Sequence, residues 1–464
     1  MELGAVSEGL SPLTLGTFPA GRRIPATPVQ VAPYSNAALE PVRKVGAESD
    51  MIDFGADGPR AGAARSAPQT KACAGCATLI GSARDLASAS LTSPTQQARK
   101  QGRPVLYRMF LVHKALIGAF NKYFAPIFLF CGILLLNVTV TIGMALDWVF
   151  FPALRKSKVE RPIIVVGNPR SGTTVLQRFL VDNGVGVGSR LWKMIYPSLT
   201  LQALLKPFLP ILEKFSPAKH HAGAAHKTSM TGIETDDPSL MFRYFDGFFI
   251  YGFFLSWSKE DLKDLFDPNL RDTSQRDFDW LEKLWKRVLV SEKKDRFVGK
   301  LFSLGIRVPR FLERFPDARI LYTVRDPLET VPSGLSLVTG VLDGRFGFWN
   351  LPEAKRKHFI ERLYAAFLEL SMRFHDDYVA GKIPADKVKV VNFNRLMQDF
   401  DTLMFEIVEF VQTPLTPALD KAIRDTAEKQ KQFKSGHQYD LEKFGLTEER
   451  IRKDYAPIYQ TFFS

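Results

Sequence analysis

The sequence predicts an α/β fold in three layers: a central, mostly parallel sheet covered by helices on both faces. Two observations predict it. After residue 160, short continuous apolar runs recur, each the length of a buried strand, and segments of helical periodicity separate them. The first of these runs passes through a glycine-containing loop straight into an amphipathic helix. A third observation concerns what precedes this region: a low-complexity stretch, then an uncharged apolar run long enough to cross a bilayer.

The strands come first in the reasoning because they set the sheet. Residues 162–167 (PIIVVG), 318–324 (ARILYTV) and 387–393 (KVKVVNF) read as buried strands, and 297–302 (FVGKLF) as a weaker one. Helical patterns occupy 173–182, 236–254, 276–291, 306–315, 353–379, 396–411 and 417–431. Together they define one α/β domain over 155–464. Residues 1–98 are rich in Ala, Gly, Ser and Pro and poor in large apolar residues, which predicts disorder, because too little surface can be buried to offset the ordering entropy. Residues 99–124 form a basic juxtamembrane segment with Arg99, Lys100, Arg103, Arg108, Lys114 and Lys122. Residues 125–146 carry no charge and predict a transmembrane helix, with Trp148 at interfacial depth, the alternative being a buried core helix. Basic residues flank both ends, Arg155, Lys156, Lys158 and Arg161 on the far side, so orientation is undetermined.

Composition narrows the classes. The chain has 464 residues, 45% hydrophobic and 24% charged, which excludes a wholly disordered chain and a collagen-like fibre. Its cysteines are Cys73, Cys76 and Cys131, too few for a disulfide framework or a four-cysteine zinc site. A formal net charge of +13 suits anionic ligands without choosing among them.

The most informative segment is residues 163–180, IIVVGNPRSGTTVLQRFL. A tight loop there delivers backbone N–H groups to a helix N-terminus, where the helix dipole also favours negative charge. Gly167 allows the turn and Gly172 allows close backbone approach. Ser171, Thr173 and Thr174 add hydroxyls, and Arg170 adds a permanently charged planar fork suited to phosphate or sulfate oxygens. The spacing is P-loop-like, but Thr173 stands where an ATP-binding loop has lysine, and the cation has moved to Arg170.

On these residues the chain resembles the sulfotransferases that use 3′-phosphoadenosine 5′-phosphosulfate (PAPS). Pro169-Arg170-Ser171-Gly172-Thr173-Thr174 is similar to that family's loop around the 5′-phosphosulfate. A second element, residues 318–336 (ARILYTVRDPLETVPSGLS), is similar to the family's 3′-phosphate site, with Arg325 and Ser333 matching by residue and spacing. Arg325 closes a strand, and ligands of open parallel sheets bind at the carboxyl ends of strands. The resemblance implies that Arg170 stabilises the transferring sulfuryl group, that Ser171, Gly172, Thr173 and Thr174 hold the donor, and that no metal is required.

The base that activates the acceptor is less defined. The segment 226–238 (HKTSMTGIETDDP) offers His226 and Glu234, beside Asp236 and Asp237, whose plainer role is to start a helix. Lys300 lies near a family lysine position but lacks the accompanying Pro and His. Lys434, Ser435 and His437 could close over the nucleotide or sit in a solvated loop. The aromatic run 242–257 reads as a core helix first and as an acceptor pocket second.

The sequence thus points to a PAPS-dependent sulfotransferase acting on a hydroxyl of a carbohydrate, lipid or other small molecule, at a membrane and without a nucleic-acid partner. The alternatives are a P-loop nucleotide kinase or NTPase, and a non-catalytic anion-binding membrane protein. A single span ahead of a catalytic domain resembles the Golgi carbohydrate sulfotransferases. However, residues 160–464 contain no cysteine, and the only N-x-[ST] site, Asn137, lies inside the apolar run. A cytoplasm-facing or bacterial enzyme therefore stays open.

Overall fold

The computed structural model describes residues 104–214, 229–431 and 440–463. The region 1–98, His226 and the trio Lys434, Ser435 and His437 lie outside the described residues.

Four parallel strands form the sheet: β1 (Ile163–Val166), β2 (Val298–Lys300), β3 (Arg319–Val324) and β4 (Val388–Asn392), in the order β2-β1-β3-β4. Each strand coincides with an expected run, and β2 is the short edge strand. Two long helices, α1 (Val105–Phe120) and α2 (Ala125–Phe150), and a single turn over Ala153–Lys156 precede β1 among the described residues. Beyond β1 come α3 (Thr173–Asp182), α4 (Asp237–Tyr244) and α5 (Ser274–Glu292). Beyond β3 come α6 (Pro327–Phe346) and α7 (Glu353–Val379), and beyond β4 come α8 (Phe393–Gln398), α9 (Phe400–Phe410) and α10 (Pro417–Lys431).

The strand period of two divides the core into layers. Ile163, Val165, Leu321 and Val391 pack with α3, α9 and α10 on one face. Ile164, Val166, Ile320 and Tyr322 pack with α5 and α7 on the other. Trp285 of α5, fully buried, stacks on Phe297 at 4.7 Å between ring centroids and anchors that second layer.

Two expected helices are broken, for identifiable reasons. The run 236–254 stops at Tyr244, because Phe245 adopts a left-handed conformation at φ 52° and Gly247 follows at φ 89°. Between them Asp246 is held by Arg271 at 2.7 Å and Arg276 at 3.0 Å, so a buried carboxylate pins the bend. The chain then continues as short turns over Phe248–Ile250 and Tyr251–Leu255. Phe248, Ile250, Tyr251 and Leu255 are all buried, which favours the core reading of this aromatic run. The run 396–411 likewise divides into α8 and α9 at Asp399, whose carboxylate pairs with Arg395 at 3.0 Å.

The packed core also extends upstream of residue 155. α1 buries Met109, Val112, Leu116 and Phe120 among residues such as Phe248 and Leu335. Its Arg108, expected to be a basic residue beside a membrane, donates from Nε to Phe245 O at 3.0 Å and from a terminal nitrogen to Tyr244 O at 2.7 Å.

Candidate functional site

The site forms where β1 and β3 end. The loop after β1 approaches β3 so closely that a Cβ on Gly167 would lie 2.3 Å from Thr323 Oγ1. Gly172, at φ 94°, faces the Phe393 ring, 2.8 Å from where its Cβ would be. Both glycines are therefore required by contact with other strands and helices, not only by the turn. Between them Arg170 takes a left-handed φ of 76°, a conformation that costs a non-glycine residue of order 1–3 kcal/mol and is sustained only where neighbours enforce it.

Those neighbours are the residues singled out by the second motif. Arg170 Nε donates to Ser333 Oγ at 2.9 Å, and Arg325 donates to Arg170 O at 3.1 Å. Arg325 also pairs with Glu329 at 2.5 Å, and its guanidinium lies 4.0 Å from the Phe393 ring centroid. Asp326, capping α6, accepts from Leu328 N at 2.9 Å and from the Tyr459 hydroxyl at 2.5 Å. Arg170 thus shares one hydrogen-bonded cluster with Arg325 and Ser333, which lie more than 150 residues further along the chain.

The hydroxyls of the loop divide into two kinds. Ser171 is buried, with its Oγ donating to Asn168 O at 2.7 Å and sharing a hydrogen bond of 2.6 Å with Thr323 Oγ1. Thr173 is buried as well. These side chains shape the loop, and the groups left at its surface are the N–H groups that open α3, which have no acceptor within the helix. Asn168, which the sequence did not single out, ties the loop to α7 by donating to Ser371 Oγ at 2.7 Å and Phe367 O at 3.2 Å. A small recess opens beside the loop, lined by Asn168, Thr323, Arg325, Thr330 and Tyr455 among others.

Thr174 points elsewhere. It accepts from Lys300 Nζ at 3.0 Å. Lys300 ends β2 in register with Val165, so the strand pairing itself carries an ammonium to the start of α3. Burial pushes its pKa down to about 8, against the raising effect of Glu234. Sequence reasoning had only a loose match for this lysine. The stronger signal was its position at the carboxyl end of a predicted strand.

Glu234 is buried beside Arg178 of α3, with 3.3 Å between Oε1 and the guanidinium. Burial raises its pKa above the ordinary carboxylate value, while Lys300 and Arg178 oppose the rise. The two aspartates that follow act on the backbone. Asp236 accepts from Lys300 N at 3.1 Å and from Trp285 Nε1 at 3.3 Å, and burial lifts its pKa to about 7. Asp237 accepts from Phe302 N at 2.7 Å and Ser303 N at 3.1 Å. They staple the segment before α4 to the end of β2, and Glu234 is the acid of this cluster that pairs with α3 and exerts the largest opposing charge effect on Lys300.

A family model described as the sulfotransferase family matches residues 162–417. Among solved structures, the chain is similar to sulfotransferase STF1 from Mycobacterium tuberculosis H37Rv at 17% identity, covering 82% of this chain and 98% of that one with a TM-score of 0.56. Sulfotransferase STF9 from Mycobacterium avium matches at 19% identity over 69% of this chain and 81% of that one, with a TM-score of 0.49. A search of curated proteins finds no match. The likeness to STF1 shows a shared fold, the family match covers more than half of the residues, and this chain belongs to the sulfotransferase family.

Proposed function

We propose that the protein transfers the sulfuryl group of PAPS to a hydroxyl of a carbohydrate, lipid or other small-molecule acceptor. The observation that supports this most is the cluster of Arg170, Arg325 and Ser333 around the N-terminus of α3, at the carboxyl ends of parallel strands. Its donor set is cationic and rich in N–H groups, which fits an ester bearing both a phosphosulfate and a separate phosphate. When bound, PAPS supplies an activated sulfuryl group whose departure leaves a phosphate oxygen carrying new charge.

In this reading Arg170 and the opening N–H groups of α3 hold the phosphosulfate oxygens. Arg325 and Ser333 hold the second phosphate. Ser171 and Thr173 keep the loop in shape, and Gly172 keeps the approach open. Lys300 brings positive charge to Thr174 and so to the developing phosphate charge. Glu234 is the base: a carboxyl raised by burial accepts a proton from an acceptor hydroxyl better than an ordinary one. His226 is the second candidate base, since it lies in the same stretch of chain.

The test is binding of adenosine 3′,5′-bisphosphate by thermal unfolding. A ligand that binds only the folded state at a hundred times its dissociation constant adds about 2.7 kcal/mol. The midpoint should rise with the bisphosphate and not with ATP·Mg²⁺. Arg325→Ala and Arg170→Ala should each abolish the rise while the unliganded protein still unfolds cooperatively. An unchanged rise in both variants would overturn the assignment.

A further inference from the structure

We propose that α2 does not cross a membrane but lies along one leaflet, its docked face held by the catalytic domain and its opposite face immersed in lipid. The helix is long and apolar enough to span. Its two faces, however, have different partners. Ile133, Leu136, Val140 and Met144 pack against the domain core. Asn137 Nδ2 donates to Phe242 O at 2.9 Å, and Arg243 donates to Thr141 Oγ1 at 2.9 Å. Asp147, wholly buried, pairs with Arg287 of α5 at 2.7 Å and accepts from the backbone N–H groups of Leu199 and Thr200. At the other end Phe130 meets Phe245 at 5.7 Å between ring centroids.

These contacts run from residue 130 to residue 147, which is about 25 Å of helix at 1.5 Å per residue. The hydrocarbon core of a bilayer is about 30 Å thick. A helix that crossed would therefore draw Arg243, Arg287 and the surrounding backbone of the catalytic domain into hydrocarbon, where charges and peptide groups are strongly disfavoured.

The other face is built for lipid. Phe128, Leu135, Ile142 and Val149 recur every seventh residue and are between 58% and 76% exposed. The hydroxyl of Thr139, also exposed, donates to Leu135 O at 2.8 Å, so it asks nothing of its surroundings. Leu204, Phe208 and Ile211, on the segment that Asp147 caps, are exposed too. Exposed Lys122, Arg155, Lys156 and Lys206 adjoin these apolar residues in the chain, and they complement anionic headgroups. Tyr123 and Trp148, at the two ends of α2, are both more than half exposed, as interfacial aromatics are.

The test uses the full chain made in the presence of sealed microsomes, with Cys73, Cys76 and Cys131 replaced by serine. Lys122→Cys and Lys156→Cys then place a single thiol at either end of α2. With a membrane-impermeant maleimide, both thiols should label from the same side, whether before or only after detergent. Labelling from opposite sides would show that the helix crosses, and would overturn the proposal. Flotation with phosphatidylcholine vesicles containing phosphatidylserine reads the contact itself. The double change Phe128→Glu and Leu135→Glu should lower the membrane partition constant by a factor of at least about a hundred, since two large apolar side chains leave lipid, and should leave the melting point of the exposed-face variant unchanged. Unaltered flotation of this variant would overturn the proposal. So would a parent chain that neither floats nor sediments with membranes, because a second copy or the chain's own residues would then cover the stripe.

Discussion

The loop at 167–172 and helix α2 both stand out in the sequence, yet their residues dictate different amounts. In the loop each residue type answers a local demand: Gly167 and Gly172 permit contacts that a Cβ would block, and Arg170 projects a charge between them. In α2 the apolar majority says only that water is avoided. The same Leu, Ile and Val residues serve a face turned to the domain and a face turned away from it. Asn137 and Asp147, whose side chains bond to the domain, distinguish the two, because both fall on the docked stripe with Ile133, Val140 and Met144. An apolar helix is thus better understood through its exceptions than through its average.

Four substitutions would break or sharpen this contrast. The largest effect is expected at Asp147→Ala. It strands the buried Arg287 and uncaps Leu199 and Thr200, and removing one partner of a buried pair costs about 3–5 kcal/mol. The urea unfolding midpoint should fall accordingly. A loss below about 1 kcal/mol, the worth of an exposed pair, would mean that α2 is not integral to the domain.

Gly172→Ala should come next, at about 1–3 kcal/mol, from an alanine forced to φ 94° against Phe393. It should also weaken bisphosphate binding, because the loop must move to relieve the contact. Normal binding with normal stability would show that the close approach is not needed.

The smallest effect on stability, and the sharpest on chemistry, concerns pH. A base must be ionised, so kcat should rise with pH through the Glu234 carboxyl, which burial holds above the ordinary carboxylate range. An ammonium must be protonated, so kcat should fall as pH passes about 8, where Lys300 loses its proton. Lys300→Met should lower kcat and remove the alkaline limb, and Glu234→Gln should remove the acid limb. A limb that survives its substitution belongs to another group.

Much of the fold was legible because buried parallel strands are continuous apolar runs, and all four strands lie within the predicted ones. The breaks at Phe245 and Asp399 were not legible. Helical periodicity continues through both, and the Asp246 carboxylate that fixes the first bend takes its partners Arg271 and Arg276 from a later segment. In the candidate site the two motifs pointed to Arg170, Arg325 and Ser333, and the structure brings these together. It also turns the Ser171 hydroxyl inward, brings Asn168 into the loop's support, and sets Lys300 against Thr174.

What the sequence determined by itself is therefore the local chemistry: which residues make strands, where a glycine loop opens a helix, and which arginines stand at strand ends. These follow from spacing along the chain and survive in any register. Only the tertiary structure decided which distant groups meet. The pairing of β1 with β2 carries Lys300 to α3, and the docking of α2 turns one apolar face inward and leaves the other exposed. Those outcomes depend on strand order and on the direction in which a helix is laid down. Both are settled by burying the whole core at once, and no window of sequence contains that information.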